Sequence, residues 1–181
     1  MTSMEEIYRH FKDPDGEAAI NGAVAQQMFR ETFENAGFKV SKSTKYDDKY
    51  NHKDYYISKD GLTLSTDVKY PKKITRRDPY PSKEWVWVEF TGTTGYPGWL
   101  YGKQDTVSFL KPNLKEFMIV NRDDLRKLCE RICSKEKVEE AEKAMYKLYT
   151  RSKYGEKDEI SLIRYKDIEE NCFYTIMPVT K

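Results

Sequence analysis

The stretch Asp54-Tyr-Tyr-Ile-Ser-Lys-Asp-Gly-Leu-Thr-Leu-Ser-Thr-Asp-Val-Lys69 constrains the fold more than any other part of the chain. Lys59-Asp60-Gly61 is a tight-turn signal between two β-prone runs. Downstream of it, Leu62, Leu64, Thr66 and Val68 fall on one face of a strand, and Thr63, Ser65, Asp67 and Lys69 on the other. A reversal at Gly61 pairs this strand with Asp54-Tyr-Tyr-Ile57. Asp54 and Asp67 then meet at one end of the hairpin, with Lys69 on the same face as Asp67. Two carboxylates within a few ångströms repel unless a divalent cation lies between them. Magnesium takes hard oxygen ligands of this kind, one or two carboxylates with waters and phosphate. The backbone carbonyl of Val68 offers a further oxygen. Lys69 is placed to orient or help deprotonate an attacking water, or to neutralise charge in a transition state.

The hairpin sits in a chain of alternating elements. Residues 1–16 are polar and end in Asp-Pro-Asp-Gly, which reads as a lead-in with one helical turn. Residues 17–36 read as an amphipathic helix, with Ile20, Val24, Met28, Phe29 and Phe33 at helical spacing and Gly37 as a left-handed stop. Phe38–Ser41 opens a strand, and residues 41–53 read as a loop or frayed hairpin. Residues 70–83 form a basic, proline-containing loop. Glu84–Phe90 reads as a strand, and Thr91–Gly98 as a mobile or ligand-facing loop. Further strands are expected over Asp105–Leu110 and Phe117–Val120. A helix follows, marked by Leu125, Leu128, Cys129, Ile132 and Cys133. A second helix is expected through Val138, Ala141, Ala144, Met145 and Leu148. Ile160–Tyr165 and Cys172–Pro178 read as terminal strands. No internal repeat or linker stands out, so one α/β domain over residues 1–181 is the simplest organisation.

Composition limits the alternatives. Aromatic residues make up 14% of the chain, against the aromatic-poor character of disordered segments. The net charge of +2 is too small to imply nucleic-acid binding by itself, so local clustering must carry that reading. Cys129, Cys133 and Cys172 have no zinc-ligand spacing and read as reduced thiols of a cytoplasmic protein. No run approaches the length of an apolar membrane span, so no membrane association is expected.

The pattern Asp54…Asp67-Val68-Lys69 resembles the motif of the PD-(D/E)xK nuclease superfamily, which includes many restriction endonucleases and archaeal-type Holliday junction resolvases. Lys53 stands where the motif's proline would be. The resemblance extends upstream, because many members place a Gly-Phe-terminated helix before the first strand, as Asn21 to Phe38 does. Those helices carry an acidic metal ligand, and the matching turn here holds Gln26 and Gln27, with Glu31 and Glu34 beyond. Gly98-Trp-Leu-Tyr-Gly-Lys103 is similar to the segment that follows the core strands in resolvase-like members.

The resemblance implies a restriction-endonuclease-like α/β core over about residues 17–120, a mixed central sheet flanked by helices, and a C-terminal helical and strand extension over 121–181. It implies a Mg²⁺-dependent endonuclease, Mn²⁺ substituting, that hydrolyses phosphodiester bonds in DNA. Asp54, Asp67 and Val68 would hold the metal, and Asp54, Asp67, Lys69 and Gln26 would form the catalytic set. The same scaffold without catalysis, a nucleic-acid-binding or inhibitory protein, is the alternative that Gln26 keeps open.

Nucleic-acid contacts are expected from the basic loop, where Lys69, Lys72, Lys73, Arg76 and Arg77 accompany one acid, Asp67. Tyr70 and Tyr80 interleave with it and could stack on bases. Lys103 is a second phosphate contact, and the glycines of Thr91–Gly98 could let backbone N–H groups reach a phosphate. Residues 121–160 mix charges of both signs, as a solvated surface does. His10 and His52 lie in polar segments, and His52 reads as a phosphate contact rather than a catalytic base. DNA, duplex or branched, is the expected partner, with RNA as a variant of the same chemistry. An apolar patch around Trp85, Trp87 or Trp99 would make a homodimer, unless those rings belong to the core. A bacterial or phage-infected host cytoplasm is the expected setting.

Overall fold

The computed structural model describes residues 16–180. The lead-in, His10 included, lies outside the described residues but for Gly16. The chain forms a mixed α/β fold in the order α1 (Glu17–Asn35), β1 (Lys39–Lys42), α2 (Lys45–Asn51), β2 (Tyr55–Lys59), β3 (Leu62–Lys69), β4 (Trp85–Thr91), β5 (Thr106–Leu110), β6 (Glu116–Asn121), α3 (Arg122–Ile132), β7 (Lys137–Val138), β8 (Leu148–Thr150), β9 (Glu159–Arg164), α4 (Tyr165–Asn171) and β10 (Tyr174–Pro178). The first sheet runs β1-β2-β3-β5-β6-β10 and the second β4-β9-β8-β7. Both are mixed: β3 pairs parallel with β5, β7 pairs parallel with β8, and the other pairings are antiparallel.

The first sheet is covered on both faces. On one, Ala25, Phe29 and Phe33 of α1 pack onto Tyr55, Ile57, Val68, Leu110 and Phe117. Phe29 stacks on Phe33 at 4.4 Å and meets Phe117 edge-on at 5.5 Å, the offset and T-shaped arrangements that ring quadrupoles favour. On the other face, Val107, Phe109, Met118 and Val120 pack against Val86, Val88 and Ile163 of the second sheet and against Leu125, Leu128 and Ile168 of α3 and α4. The β3–β5 register sets Asp67 beside Val107 and Lys69 beside Phe109. Both polar residues therefore face the second sheet, while Val68 faces α1.

The hairpin forms as its sequence dictates. Asp60 and Gly61 are both left-handed, at φ 52 and 80, which is the turn that matches strand twist. Other segments depart from expectation. The loop expected over residues 41–53 contains α2, capped by the Thr44 hydroxyl, which accepts from the Asp47 N–H at 3.1 Å. The helix expected through Val138–Leu148 is instead β7, a single 3-10 turn at Ala141–Lys143 and β8. Tyr146 is left-handed there, at φ 57, a conformation no α-helix accommodates. Tyr165 opens α4 rather than ending a strand. Ile20 and Val24 are exposed; the buried stripe of α1 begins at Ala25. Thr91–Gly98 closes on itself: Gly92 donates to the Tyr96 carbonyl, Gly95 to Gly92 and Gly98 to Phe90. These glycine amides are therefore engaged within the turn and are not offered to a phosphate.

Candidate active site

Asp54 is delivered by α2. The helix runs to Asn51 and is closed by His52, left-handed at φ 55, and β2 begins three residues later at Tyr55. The Asp54 N–H donates to the Thr66 carbonyl at 2.8 Å, and its carbonyl accepts from Ser43 N–H at 3.0 Å. Its Oδ2 accepts the Val68 N–H at 2.7 Å. Here the carboxyl occupies the position a main-chain carbonyl would take in a continued ladder. Alternate residues of a strand present N–H and C=O to the same neighbour. The Val68 carbonyl thus faces the Asp54 side as well.

Asp54 and Asp67 are nearly sealed, at 6% and 4% exposure. Lys69 Nζ lies 2.9 Å from Asp67 Oδ2. The same Nζ lies 5.3 Å from the centroid of the Trp99 ring. Asp67 Oδ2 has the Lys69 ammonium as its close neighbour. Burial first, and then the Asp67 charge, push the Asp54 carboxyl up to about 6, against the pull of the Val68 N–H and Lys69. Burial also raises Asp67, with Lys69 opposing. Burial disfavours the Lys69 ammonium, but Asp67, Asp54 and Glu89 outweigh it and hold the amine above the ordinary lysine range. Lys69 is therefore a fixed positive charge here, not a proton acceptor.

Three further groups gather around this centre. Asp48 of α2 is raised by partial burial and by the adjacent Asp54 carboxyl. Burial, followed by Lys69, keeps the His52 ring below the usual imidazole value. Glu89 of β4 bears electrostatically on Asp67, Lys69 and His52, and its Oε1 accepts the Trp99 N–H at 3.2 Å. The turn carrying Trp99 lies directly on Glu89: a Cβ added at Gly98 would sit 2.4 Å from the Glu89 carbonyl oxygen. Only glycine permits that approach.

The other expected site residues are placed as follows. Lys72, Arg76 and Arg77 line a groove of about 1020 Å³ that opens from Lys69 and Glu89. Lys72 keeps solvent access while protein surrounds it on most sides; desolvation and then Lys69 lower its ammonium. The Lys73 carbonyl accepts the Trp87 indole N–H at 3.0 Å, tying the basic loop to β4. Lys103 is exposed beside the end of α2, its N–H donating to the Asn51 carbonyl at 3.0 Å. The Gln26 carbonyl oxygen accepts from Lys42 Nζ at 2.7 Å. Trp99 is core, whereas Trp85 and Trp87 are half-buried in the groove. Tyr70 packs against the α1 core, and Tyr80 is exposed. The three cysteines are free thiols. No helix among the described residues is long and apolar enough to cross a membrane.

Glu89 and Asp48 were not legible as site residues. Glu89 alternates with Trp85 and Trp87 on one face of β4, and an acid breaking an aromatic stripe was the available signal. Asp48 had none, being one of two adjacent acids in a polar segment.

Among the described residues no group of three or more His, Cys, Asp or Glu side chains is arranged to hold a metal ion. The donors that could do so are two carboxylates, Asp54 and Asp67, and the Val68 carbonyl. That is an all-oxygen set of the kind magnesium accepts with water and phosphate oxygens. The burial of both carboxyls beside each other fits it.

No family model matches the chain, and no curated protein matches it. Among solved structures, it is similar to a bacterial homing endonuclease, I-Ssp6803I, at 19% identity and a TM-score of 0.45, over 62% of this chain and 74% of that one. A similarity at that level assigns neither family nor function to this chain.

Proposed function

We propose that the protein is a metal-dependent nuclease that hydrolyses phosphodiester bonds in DNA at a PD-(D/E)xK-type centre. One observation carries the reading: two buried carboxyls, Asp54 and Asp67, adjoin each other, and the Lys69 ammonium lies 2.9 Å from Asp67. Magnesium or manganese, held by Asp54, Asp67 and the Val68 carbonyl, would supply Lewis acidity and a more acidic bound water. Lys69, kept positive by its neighbours, stabilises negative charge developing on the scissile phosphate. Trp99 limits where that ammonium can go. Asp54 must give up its proton before it can act as a ligand, so metal affinity should climb as pH rises through about 6. Lys72, Lys73, Arg76, Arg77 and Lys103 then contact backbone phosphates around the site.

The test is cleavage of labelled DNA in magnesium or manganese. Asp67→Asn and Lys69→Met should each lower the single-turnover rate by about a hundredfold or more, the order seen when one charge-stabilising group is removed. Unchanged cleavage in either purified, folded variant would overturn the assignment. A second reading, nucleic-acid binding without cleavage, is favoured by Gln26, whose amide is committed to Lys42 instead of supplying a carboxylate from α1. DNA binding with no cleavage in either metal would select it.

A further inference from the structure

The groove that opens from Lys69 has two unlike walls and an aromatic floor. Lys72, Arg76 and Arg77, in the loop before β4, and Glu139, Glu140 and Glu142, just after β7, line it from segments next to opposite edges of the second sheet. Trp87 and Tyr149 lie between them, half-buried, with ring centroids 5.9 Å apart and planes tilted by 39°. Trp87 is fixed by its indole N–H on the Lys73 carbonyl. Trp85 contributes less of a surface, because the Arg164 guanidinium covers its ring at 5.0 Å.

These features select among nucleic-acid forms. A duplex carries phosphates along both edges. Laid in this groove it would press one backbone against the glutamates, and its base faces would stay hidden in its own stack. A single strand carries its phosphates on one edge and leaves base faces free. It can set the phosphates on the arginine wall, stack bases on Trp87 and Tyr149, and turn base edges, with their amino donors, toward the glutamates. We infer that this groove takes an unpaired nucleic-acid strand and leads it to Lys69. The substrate class is then single-stranded DNA or an unpaired segment of a branched one. This inference rests on the nuclease reading for what happens at Lys69, but not for the binding itself.

The experiment measures binding of a fluorescein-labelled, mixed-sequence DNA single strand and of its duplex, with EDTA present so that nothing is cut. The single strand should bind at least about tenfold tighter than the duplex. Trp87→Leu, which keeps apolar bulk and removes the ring face, should weaken single-strand binding about tenfold, as loss of one stacked base does. It should leave duplex binding unchanged. Arg76→Ala with Arg77→Ala should reduce the salt slope by about 1.4, the share of two phosphate contacts on a single strand. Should Trp87→Leu fail to fold by circular dichroism, Tyr149→Leu reads the same platform. Equal or tighter duplex binding, or folded platform variants that hold the single strand as before, would overturn the inference. Cleavage is scored separately. A strand that binds through Trp87 but is never cut defeats the nuclease reading and leaves this one standing. A duplex that is cut while single strands are ignored does the reverse.

Discussion

Two clusters in this molecule contain the same charges in different order. In the second sheet, Arg151 lies between two acids: its guanidinium is 2.9 Å from Glu156 and reaches the nearly sealed Asp158 through two nitrogens. At the hairpin, Lys69 stands to one side, 2.9 Å from Asp67, and Asp54 faces Asp67 directly. Each sets one base against two acids. Where the base is central, it contacts both acids. Where it is peripheral, one acid is held partly protonated near neutrality. The first arrangement is a brace. On the proposed reading, the second takes an outside cation.

The contrast breaks if removing either base has the same effect. Lys69→Ala should reduce cleavage by about a hundredfold while the fold persists. Arg151→Ala should leave the rate per folded molecule within a factor of about two and lower stability by about 2–4 kcal/mol in urea. That cost sits at the lower end for a broken buried pair, because the guanidinium side chain is 33% exposed. Activity loss in Arg151→Ala, with the fold intact, would erase the distinction.

Asp54→Asn sharpens it. The carboxyl ionises near 6 in the folded protein and near 3.8 in the unfolded chain. Between those values the native state holds more protons, so this group makes the protein less stable as pH rises through the window. The full cost, on the order of 2–3 kcal/mol at one unit per ~1.4 kcal/mol, applies above pH 6. Metal-free Asp54→Asn should therefore outlast the parent in a thermal melt at pH 7.5, and the advantage should vanish at pH 4. An advantage that persists unchanged at pH 4 would show that charge is not the cause.

The cation supplies a smaller effect. At tenfold excess over its dissociation constant, magnesium should stabilise the parent by about 1.4 kcal/mol. The shift should be absent in Asp67→Asn and intact in Asp158→Asn. The smallest expected change is at Glu89. Glu89→Gln keeps an acceptor for the Trp99 N–H but removes a charge that helps hold Lys69 ionised. The rate should fall by about three- to tenfold, with substrate binding unaltered.

How much of this could be read from the chain follows range of interaction. The hairpin and α1 were legible because alternation, an Asp-Gly turn and a glycine stop are local signals. Asp54, Asp67 and Lys69 come together through that one turn, so their juxtaposition was legible too. The helix α2 was not. Lys45–Asn51 is polar all round and offers no stripe, and its formation rests on the Thr44 cap. The segment 138–148 failed in the opposite sense: Val138, Ala141, Ala144, Met145 and Leu148 mimic a helical stripe. The main chain there pairs instead with distant partners, as Met145 does with Leu162. Glu89 reaches the site from another sheet, a placement no local pattern encodes.

The rung formed by the Asp54 carboxyl on the Val68 amide has a consequence for how the protein is made. Strand register and ligand geometry are a single event, because the acid cannot accept that amide unless β2 and β3 are aligned to the residue. A slip by one position would also turn Asp67 and Lys69 toward α1. A misthreaded copy would thus lack the juxtaposed acids, and a copy with them assembled has already proofread its own hairpin.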